Sequence, residues 1–436
     1  MFQGKKITVV GLGLLGRGLG DIRYLAEMGA EITVTDMKSP EQLKESLDAL
    51  SQYSNIRYTL GEHRLEDFRG RDLILKAPKM PLDSPYIAEA KKNGIPVTMS
   101  AALFVRLSQI KVVGITGTRG KTTTTYLIAE GLKQAGYKVL LGGNIQGVST
   151  LALLPTVTPD TIAVLELDSW QLQGFREEGI SPHVSVFTTF FPDHMDYYHN
   201  DMDAYLADKA EIFLHQTEGD ILVAGEQVAT ILSQKYGQQI RSKVEVAKTQ
   251  DFPAQVELKI PGDHNRYNAA CALKALHALG IDSGTSLTAL ATFEGVQGRL
   301  QFVREVAGIK IYNDTNATTP EATLAALNAL DMGVNNIVLI MGGYDKGLDM
   351  TVLAAKAATV CKDVILLAGT GTSALQANGM LQHCNVCGSL EEAVRKAIGA
   401  ASKGDTVIFS PAFASFGMFR NEYDRGDQFL ALVQKL

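Results

Sequence analysis

Short apolar runs recur along the chain, and each is followed by a turn rich in Gly, Asn, Asp or Pro before apolar residues resume at helical spacing. The runs Ile7 to Val10, Ile32 to Thr35, Leu73 to Leu75 and Ile95 to Met99 predict strands of a first sheet. A second set comprises Ile110 to Ile115, Val139 to Leu141, Ile162 to Leu167 and Val184 to Thr189. A third comprises Ile309 to Tyr312, Ile337 to Met341, Val364 to Leu367 and Val407 to Phe409. Between them, sets such as Leu127, Ile128, Leu132 and Ala135 fall on one helical face, and helices are expected over Asp203 to Leu214 and Tyr267 to Leu279. The stretch 216–260 is weaker. Val244 and Val246, then Val256, Leu258 and Ile260, alternate as small β elements would. Strand, turn and helix alternating in this way predict an α/β protein with doubly wound sheets.

Length fits that pattern, since 436 residues at roughly 150 per domain give about three domains. We expect a Rossmann-like N-terminal domain at 1–100, a central P-loop α/β domain at 101–298 and a C-terminal Rossmann-like domain at 299–436. With 46% hydrophobic and 20% charged residues the chain can fill such cores, and disorder is not expected. A net charge of −6 without a Lys- or Arg-rich run excludes a nucleic-acid binder held by bulk electrostatics. The glycines and Arg17 break the first apolar stretch too early for a signal peptide, and no run approaches the roughly 18 apolar residues of a membrane span. A cytoplasmic protein without membrane contact is expected. Four cysteines do not make a disulfide framework, and the CxxC of Cys384 and Cys387, lacking a second pair, reads as ordinary thiols.

Candidate chemistry begins at GITGTRGKTTTT, Gly114 to Thr125, where a buried strand meets a helix through a glycine turn. Unpaired N–H groups at the helix start favour anions, and Gly117 and Gly120 let the backbone close around phosphate oxygens. Lys121 supplies charge for the outer phosphates, and the Thr122 hydroxyl stands where a magnesium ligand would. The first glycine of the usual P-loop pattern is offset by one, Gly114 lying six residues before Gly120. Upstream, Gly11-x-Gly13-x-x-Gly16 follows the first strand, and Asp36 lies 20 residues beyond Gly16. That fingerprint accepts the pyrophosphate of either a nicotinamide cofactor or a UDP-sugar. Glu166 puts an acid at the carboxyl end of an apolar strand, where it is costly unless it meets a cation; in a P-loop domain that end faces the nucleotide, the alternative being an acid pointing out of an edge strand. Asp193, His194 and Asp196 crowd the loop after Val184 to Thr189, as ligands or as a simple cap. Lys209, among Tyr205, Ala210 and Phe213, reads by default as a solvated helix lysine. Asn265 and Asn268 offer amides to a purine edge, with helix capping the alternative for Asn265.

Taken in order, these motifs resemble the Mur ligases of bacterial cell-wall synthesis, and most of all those adding D-glutamate. The likeness spans the chain: GLGLLG from Gly11, GITGTRGKT from Gly114, GGNI from Gly142, LELDSWQL from Leu165, PDHMD from Pro192, GDHNRYNAA from Gly262, NDTNAT from Asn313, GGYDKG from Gly342 and SPAFAS from Ser410. The resemblance implies a monomeric ligase that uses ATP and Mg²⁺ or Mn²⁺ to join D-glutamate to the carboxylate of UDP-muramoyl-alanine through an acyl phosphate. By the same resemblance, Lys121, Glu166, His194 and Lys209 are catalytic. Thr122, Glu166, His194 and Lys209 surround the metal, with Lys209 a carbamate in place of the solvated lysine. ATP meets Gly117, Thr118, Arg119, Gly120, Lys121, Thr122, Thr123, Asn144, Asn265, Asn268, Arg299 and Asp314. The other substrates meet Leu14, Leu15, Asp36, Asn144, Asp168, Gln171, Thr318, Lys346 and Ser415.

Departures from the family pattern cluster at the amino-acid end. Asn316 stands where a lysine is usual, and Glu422 where an aromatic residue is usual. A lost cation and a gained anion both disfavour a dicarboxylate unless Lys346, Arg420 or Arg425 compensates. Asp168 replaces a serine, Gly298 a histidine, Thr189 an asparagine and Lys79 a glycine. An acceptor such as L-glutamate or a folate-type polyglutamyl chain is the alternative within the enzyme class, the Gly11 fingerprint speaking against the folate version. A nicotinamide-binding protein is the alternative outside it.

Overall fold

The computed structural model describes every residue except Leu14, Leu15 and Lys79. The first sheet contains β1 (Lys6–Val10), β2 (Glu31–Asp36), β3 (Ile56–Leu60), β4 (Leu73–Leu75) and β5 (Val97–Thr98). Its order is β3-β2-β1-β4-β5 and all its pairings are parallel. The second contains β6 (Lys111–Thr116), β7 (Lys138–Gly143), β8 (Thr161–Glu166), β9 (Val184–Phe187), β10 (Ile221–Gly225) and β11 (Lys243–Ala247). It is parallel in the order β11-β10-β9-β6-β8-β7. Its strands are apolar because helices cover both faces: β6 buries Val112, Val113 and Ile115, and β8 is buried throughout.

The third sheet contains β12 (Gln301–Val306), β13 (Ile309–Asn313), β14 (Ile337–Gly342), β15 (Cys361–Leu367), β16 (Asn385–Cys387) and β17 (Thr406–Phe409). Its order is β12-β13-β17-β14-β15-β16. It is mixed, because β12 pairs antiparallel to β13 across a tight turn at Ala307 and Gly308. A hairpin needs only a two-residue loop, whereas a parallel pair needs a crossover, and Ala307–Gly308 leaves no room for one.

The chain forms two compact units. One holds Met1–Pro253 and Tyr267–Leu290, with the first two sheets; the other holds Ala254–Arg266 and Ala291–Leu436, with the third. In the stretch expected to hold small β elements, Val244 and Val246 lie on the edge strand β11 and are exposed, while Val256 to Ile260 forms no strand. Helix Asp263–Ala278 begins four residues before the apolar periodicity at Tyr267, and Met202–Ala210 ends before Leu214. Among the described residues all four cysteines are free thiols, and no helix is long and apolar enough to cross a membrane.

Candidate active site

Four neighbouring strands of the second sheet end together and set out the nucleotide side of the site. Ile115 of β6 is in register with Glu166 of β8, Gly143 of β7 also pairs with Glu166, and Thr116 pairs with Phe187 of β9. The loops leaving these ends therefore carry Gly117 to Lys121, Asn144, Glu166 and His194 into one crevice, at the carboxyl edge where α/β sheets bind ligands.

The phosphate loop is closed by its neighbours. Thr118 N donates to Thr189 O at 2.7 Å, Thr188 Oγ1 donates to Arg119 O at 2.6 Å, and Arg119 N donates to Thr189 Oγ1 at 2.9 Å. Thr189, a departure from the family's asparagine, thus serves as a loop staple. Gly117 (φ 144°) and Gly120 (φ 85°) have no room for a Cβ, which would strike Thr188 Oγ1 and Asn268 Oδ1 respectively. The second clash places Asn268, on helix Asp263–Ala278, directly against the loop. Lys121 Nζ lies over the loop and donates to Gly117 O at 2.9 Å and Thr118 O at 3.2 Å. Thr123, next to Thr122 on the first helical turn, is half-buried.

Glu166 is 3% exposed and accepts from Thr122 Oγ1 at 2.7 Å and Asn144 Nδ2 at 3.3 Å. Both donors are neutral groups. Burying a carboxylate is costly, and a divalent cation beside the Thr122 hydroxyl would relieve that cost. His194 takes a left-handed backbone (φ 55°), and its ring lies 4.4 Å from that of Trp170. Burial, ahead of the opposing attraction of Asp193, pulls its pKa below the usual imidazole value, so the ring is neutral and able to ligate.

Lys209 is 1% exposed, which overturns the solvated-lysine default. Its Nζ donates to Gly117 O at 3.0 Å and Thr116 Oγ1 at 3.3 Å, and lies 4.9 Å from the Tyr205 ring centroid. Burial first, and the charge of Lys121 second, push its pKa well below the lysine range. Its helix is anchored at Asp208, which accepts from Gln173 Nε2 at 2.7 Å, Arg176 Nη2 at 2.9 Å and Tyr198 Oη at 2.9 Å. The sequence reading missed that network, as it missed the Trp170 ring beside His194. Only the fold brings the two rings together. Among the described residues no three His, Cys, Asp or Glu side chains gather as a metal group. The set Thr122, Glu166, His194 and Lys209 reaches that number of anionic or imidazole donors only if Lys209 becomes an anion.

In the first sheet, the Asp36 carboxylate is 4% exposed and accepts from Leu12 N at 2.9 Å, Gly13 N at 3.2 Å and Lys38 N at 2.9 Å. It braces the glycine loop from beneath. Leu14 and Leu15, expected to touch substrate, lie outside the described residues, as does Lys79. Asp168 and Gln171 close a capping box on helix Ser169–Glu178, Asp168 Oδ1 accepting from Gln171 N at 2.8 Å and Gln171 Oε1 from Asp168 N at 3.3 Å. Both expected substrate residues are thus engaged in starting a helix.

In the second unit, Lys346 Nζ donates to Thr318 Oγ1 at 3.4 Å on an exposed surface, and Ser415 is buried. Asn316 Nδ2 donates to Gln297 O at 3.3 Å and packs against Gly298. Arg425 is 0% exposed, donating to Phe413 O at 3.1 Å and Thr315 O at 2.8 Å; burial lowers its pKa to about 10, and the attraction of Glu422 opposes that shift. Arg420 is exposed, and Glu422 sits in the first turn of helix Glu422–Gln434. Asp314, expected near ATP, is 7% exposed and accepts from Leu300 N at 2.9 Å and Ser410 Oγ at 2.6 Å. Burial raises its pKa to about 7. Arg299 is exposed, and Asn265 is buried in the first turn of helix Asp263–Ala278, with Nδ2 donating to Pro261 O at 2.8 Å.

Sequence models of three domains match the chain: the Mur ligase MurD-like N-terminal domain over residues 5–99, the Mur ligase middle domain over 115–239, and the Mur ligase glutamate ligase domain over 298–413. The UDP-N-acetylmuramoylalanine–D-glutamate ligase of Roseiflexus sp. (strain RS-1) is 38% identical, the match covering 99% of this chain and 98% of the relative. The chain belongs to the Mur ligase family. The corresponding ligase of Borreliella burgdorferi (strain ZS7) is 34% identical over 98% of this Mur ligase and 97% of its own length. Among solved structures, UDP-N-acetylmuramate-alanine ligase MurC from Thermotoga maritima shares the fold, with a TM-score of 0.62 at 19% identity over 99% of both chains. MurF ligase from the same organism, in complex with ADP, gives 0.60 at 18% identity over 99% of this chain and 95% of its own. As a Mur ligase the protein is an ATP-dependent, amide-bond-forming enzyme with small-molecule substrates, built from three α/β domains.

Proposed function

We propose that this Mur ligase joins D-glutamate to the alanyl carboxylate of UDP-N-acetylmuramoyl-L-alanine, a cytoplasmic step of peptidoglycan precursor synthesis carried out by a monomer. The observation that carries the ligase chemistry is the buried Lys209 amine beside Thr116 and Gly117 of the phosphate loop. The choice of D-glutamate rests on the full-length likeness to D-glutamate ligases.

In this reading residues 1–100 hold the UDP-sugar, 101–298 the ATP and 299–436 the amino acid. Lys121 and the loop amides hold the nucleotide phosphates in line with the substrate carboxylate, whose oxygen takes the γ-phosphoryl group as the bond to ADP breaks. The amine of the incoming amino acid, having lost a proton, then attacks the acyl carbon, and phosphate leaves as the amide forms. Thr122, Glu166, His194 and a carbamylated Lys209 would hold Mg²⁺ or Mn²⁺, which supplies positive charge to the phosphoryl oxygens. Burial favours the neutral amine, the form that adds CO₂, forming an N–C bond and releasing one proton, and so becomes an anion.

Glu422 in the first turn of its helix and the engaged Asn316 favour, as a second reading, an acceptor with less distal negative charge. A phosphate-release assay with UDP-N-acetylmuramoyl-L-alanine, ATP and Mg²⁺ across a panel of amino acids separates the two. We expect release with D-glutamate and none without an amino acid. Turnover with L-glutamate or a neutral amino acid, but not with D-glutamate, would overturn the acceptor assignment.

A further inference from the structure

Arg17 is the first residue of helix Arg17–Glu27 and immediately follows the Gly11-x-Gly13-x-x-Gly16 loop. Its Nη1 donates to Asn144 Oδ1 at 2.7 Å. Asn144 in turn donates from Nδ2 to Glu166 Oε1 at 3.3 Å and from its backbone N to Glu166 O at 2.7 Å. Glu166 Oε2 accepts from Thr122 Oγ1 at 2.7 Å. A continuous hydrogen-bond relay therefore joins the helix behind the glycine loop to the helix behind the phosphate loop, Lys121–Gln134.

The chemistry of the end groups fixes the middle one. A guanidinium only donates and an ionised carboxylate only accepts, so the Asn144 amide has one allowed orientation, oxygen to Arg17 and nitrogen to Glu166. Without Arg17 no other described residue donates to that oxygen, and a flipped amide would set oxygen against oxygen at Glu166. The backbone under the relay is firmly placed. One helical turn beyond Arg17, Asp21 accepts from Ser149 Oγ at 2.6 Å and Ser100 Oγ at 2.7 Å, and Gly20 packs on Ser149. These contacts pin the helix to the loop 144–150. A guanidinium has five N–H donors. Among the described residues Nη1 alone of the Arg17 nitrogens is hydrogen-bonded, so Nε and Nη2 remain to meet an anion at the glycine loop.

We propose that Arg17 is a positioning residue that couples the two ligand sites. A diphosphate at the glycine loop orders the guanidinium, which fixes Asn144 and hence Glu166 for the nucleotide side. The inference rests on the proposed function in taking the glycine loop as the UDP-substrate site and the phosphate loop as the ATP site.

The test is calorimetric and needs no turnover. The Kd of a non-hydrolysable ATP analogue with Mg²⁺ is measured with and without saturating UDP-N-acetylmuramoyl-L-alanine, for the wild type, Arg17→Met and Arg17→Lys. In the wild type the UDP-substrate should tighten nucleotide binding by about fivefold or more. In Arg17→Met that ratio should fall to about one while nucleotide binding alone stays near wild type. Arg17→Lys, which still donates to Asn144, should recover part of the ratio. A merely structural role would instead weaken both ligands together and lower Tm. An unchanged ratio in Arg17→Met, or no coupling in the wild type, overturns the inference and leaves the functional reading intact. Failure of the wild type to bind either ligand overturns that reading as well.

Discussion

Lys209 shows how far a side chain's meaning depends on its surroundings. In sequence it is a lysine on a short amphipathic helix, while in the fold its amine is enclosed by Thr116, Gly117 and the Tyr205 ring. Burial and the nearby charge of Lys121 shift the amine there toward its neutral form. We expect Lys209→Ala to lower kcat by about 10²-fold or more, the scale of losing one preorganised electrostatic group, with UDP-substrate binding retained. Phosphate release checks the rate. A carbamate carbon signal after incubation with ¹³C-bicarbonate, present in the wild type and absent in the variant, checks the chemistry. Ordinary activity in Lys209→Ala would return the residue to a packing role. Arg425 makes the opposite point. It was a candidate counter-charge for the amino acid, but it lies inside the fold and ties Thr315 to Phe413, and sequence offers no sign of that depth.

Among elements, the strand ends were readable and the helix starts less so. β6, β8 and β14 announce themselves because a strand covered on both faces is apolar at every position, and their turns carry the chemistry. β12 was missed because its burial alternates along an edge hairpin, and β10 because the surrounding stretch is locally mixed. Gln171, expected as a substrate residue, also closes the capping box of its own helix through Oε1, a partnership that the family motif does not announce. The β13 and β17 ends also carry a pH-sensitive joint. Asp314 is buried against Ser410 and the Leu300 amide, and its pKa is raised to about 7. A carboxyl with a raised folded pKa is protonated in the folded state where the unfolded chain has already ionised. Its contribution is thus fully present below about pH 4 and is lost as pH rises through about 7. Relative to Asp314→Asn, the wild type should lose stability across that window, by on the order of 4 kcal/mol if the whole displacement is expressed. Urea denaturation at pH 4.5, 6 and 8 measures it, and a pH-independent difference between the two proteins would refute the assignment.

For the whole molecule, the two compact units are formed from interleaved segments, the chain passing between them near 253, 266 and 290. Such a chain need not unfold in one step. Its one tryptophan, Trp170, lies in the unit of the first two sheets, so fluorescence reports that unit while far-ultraviolet circular dichroism reports both. We expect the two guanidinium denaturation curves not to coincide; superimposable curves would mean a single cooperative body. The sequence by itself determined the α/β architecture, the phosphate loop and the family, because periodicity and short glycine motifs are local properties. It also placed Glu166 at a strand end. Only the tertiary structure decided that Lys209 is buried, that Asp168 and Gln171 cap a helix, and that Arg17 reaches Asn144 from 127 positions away. Burial and hydrogen-bond partnership come from chain segments distant in sequence, and no local pattern encodes them.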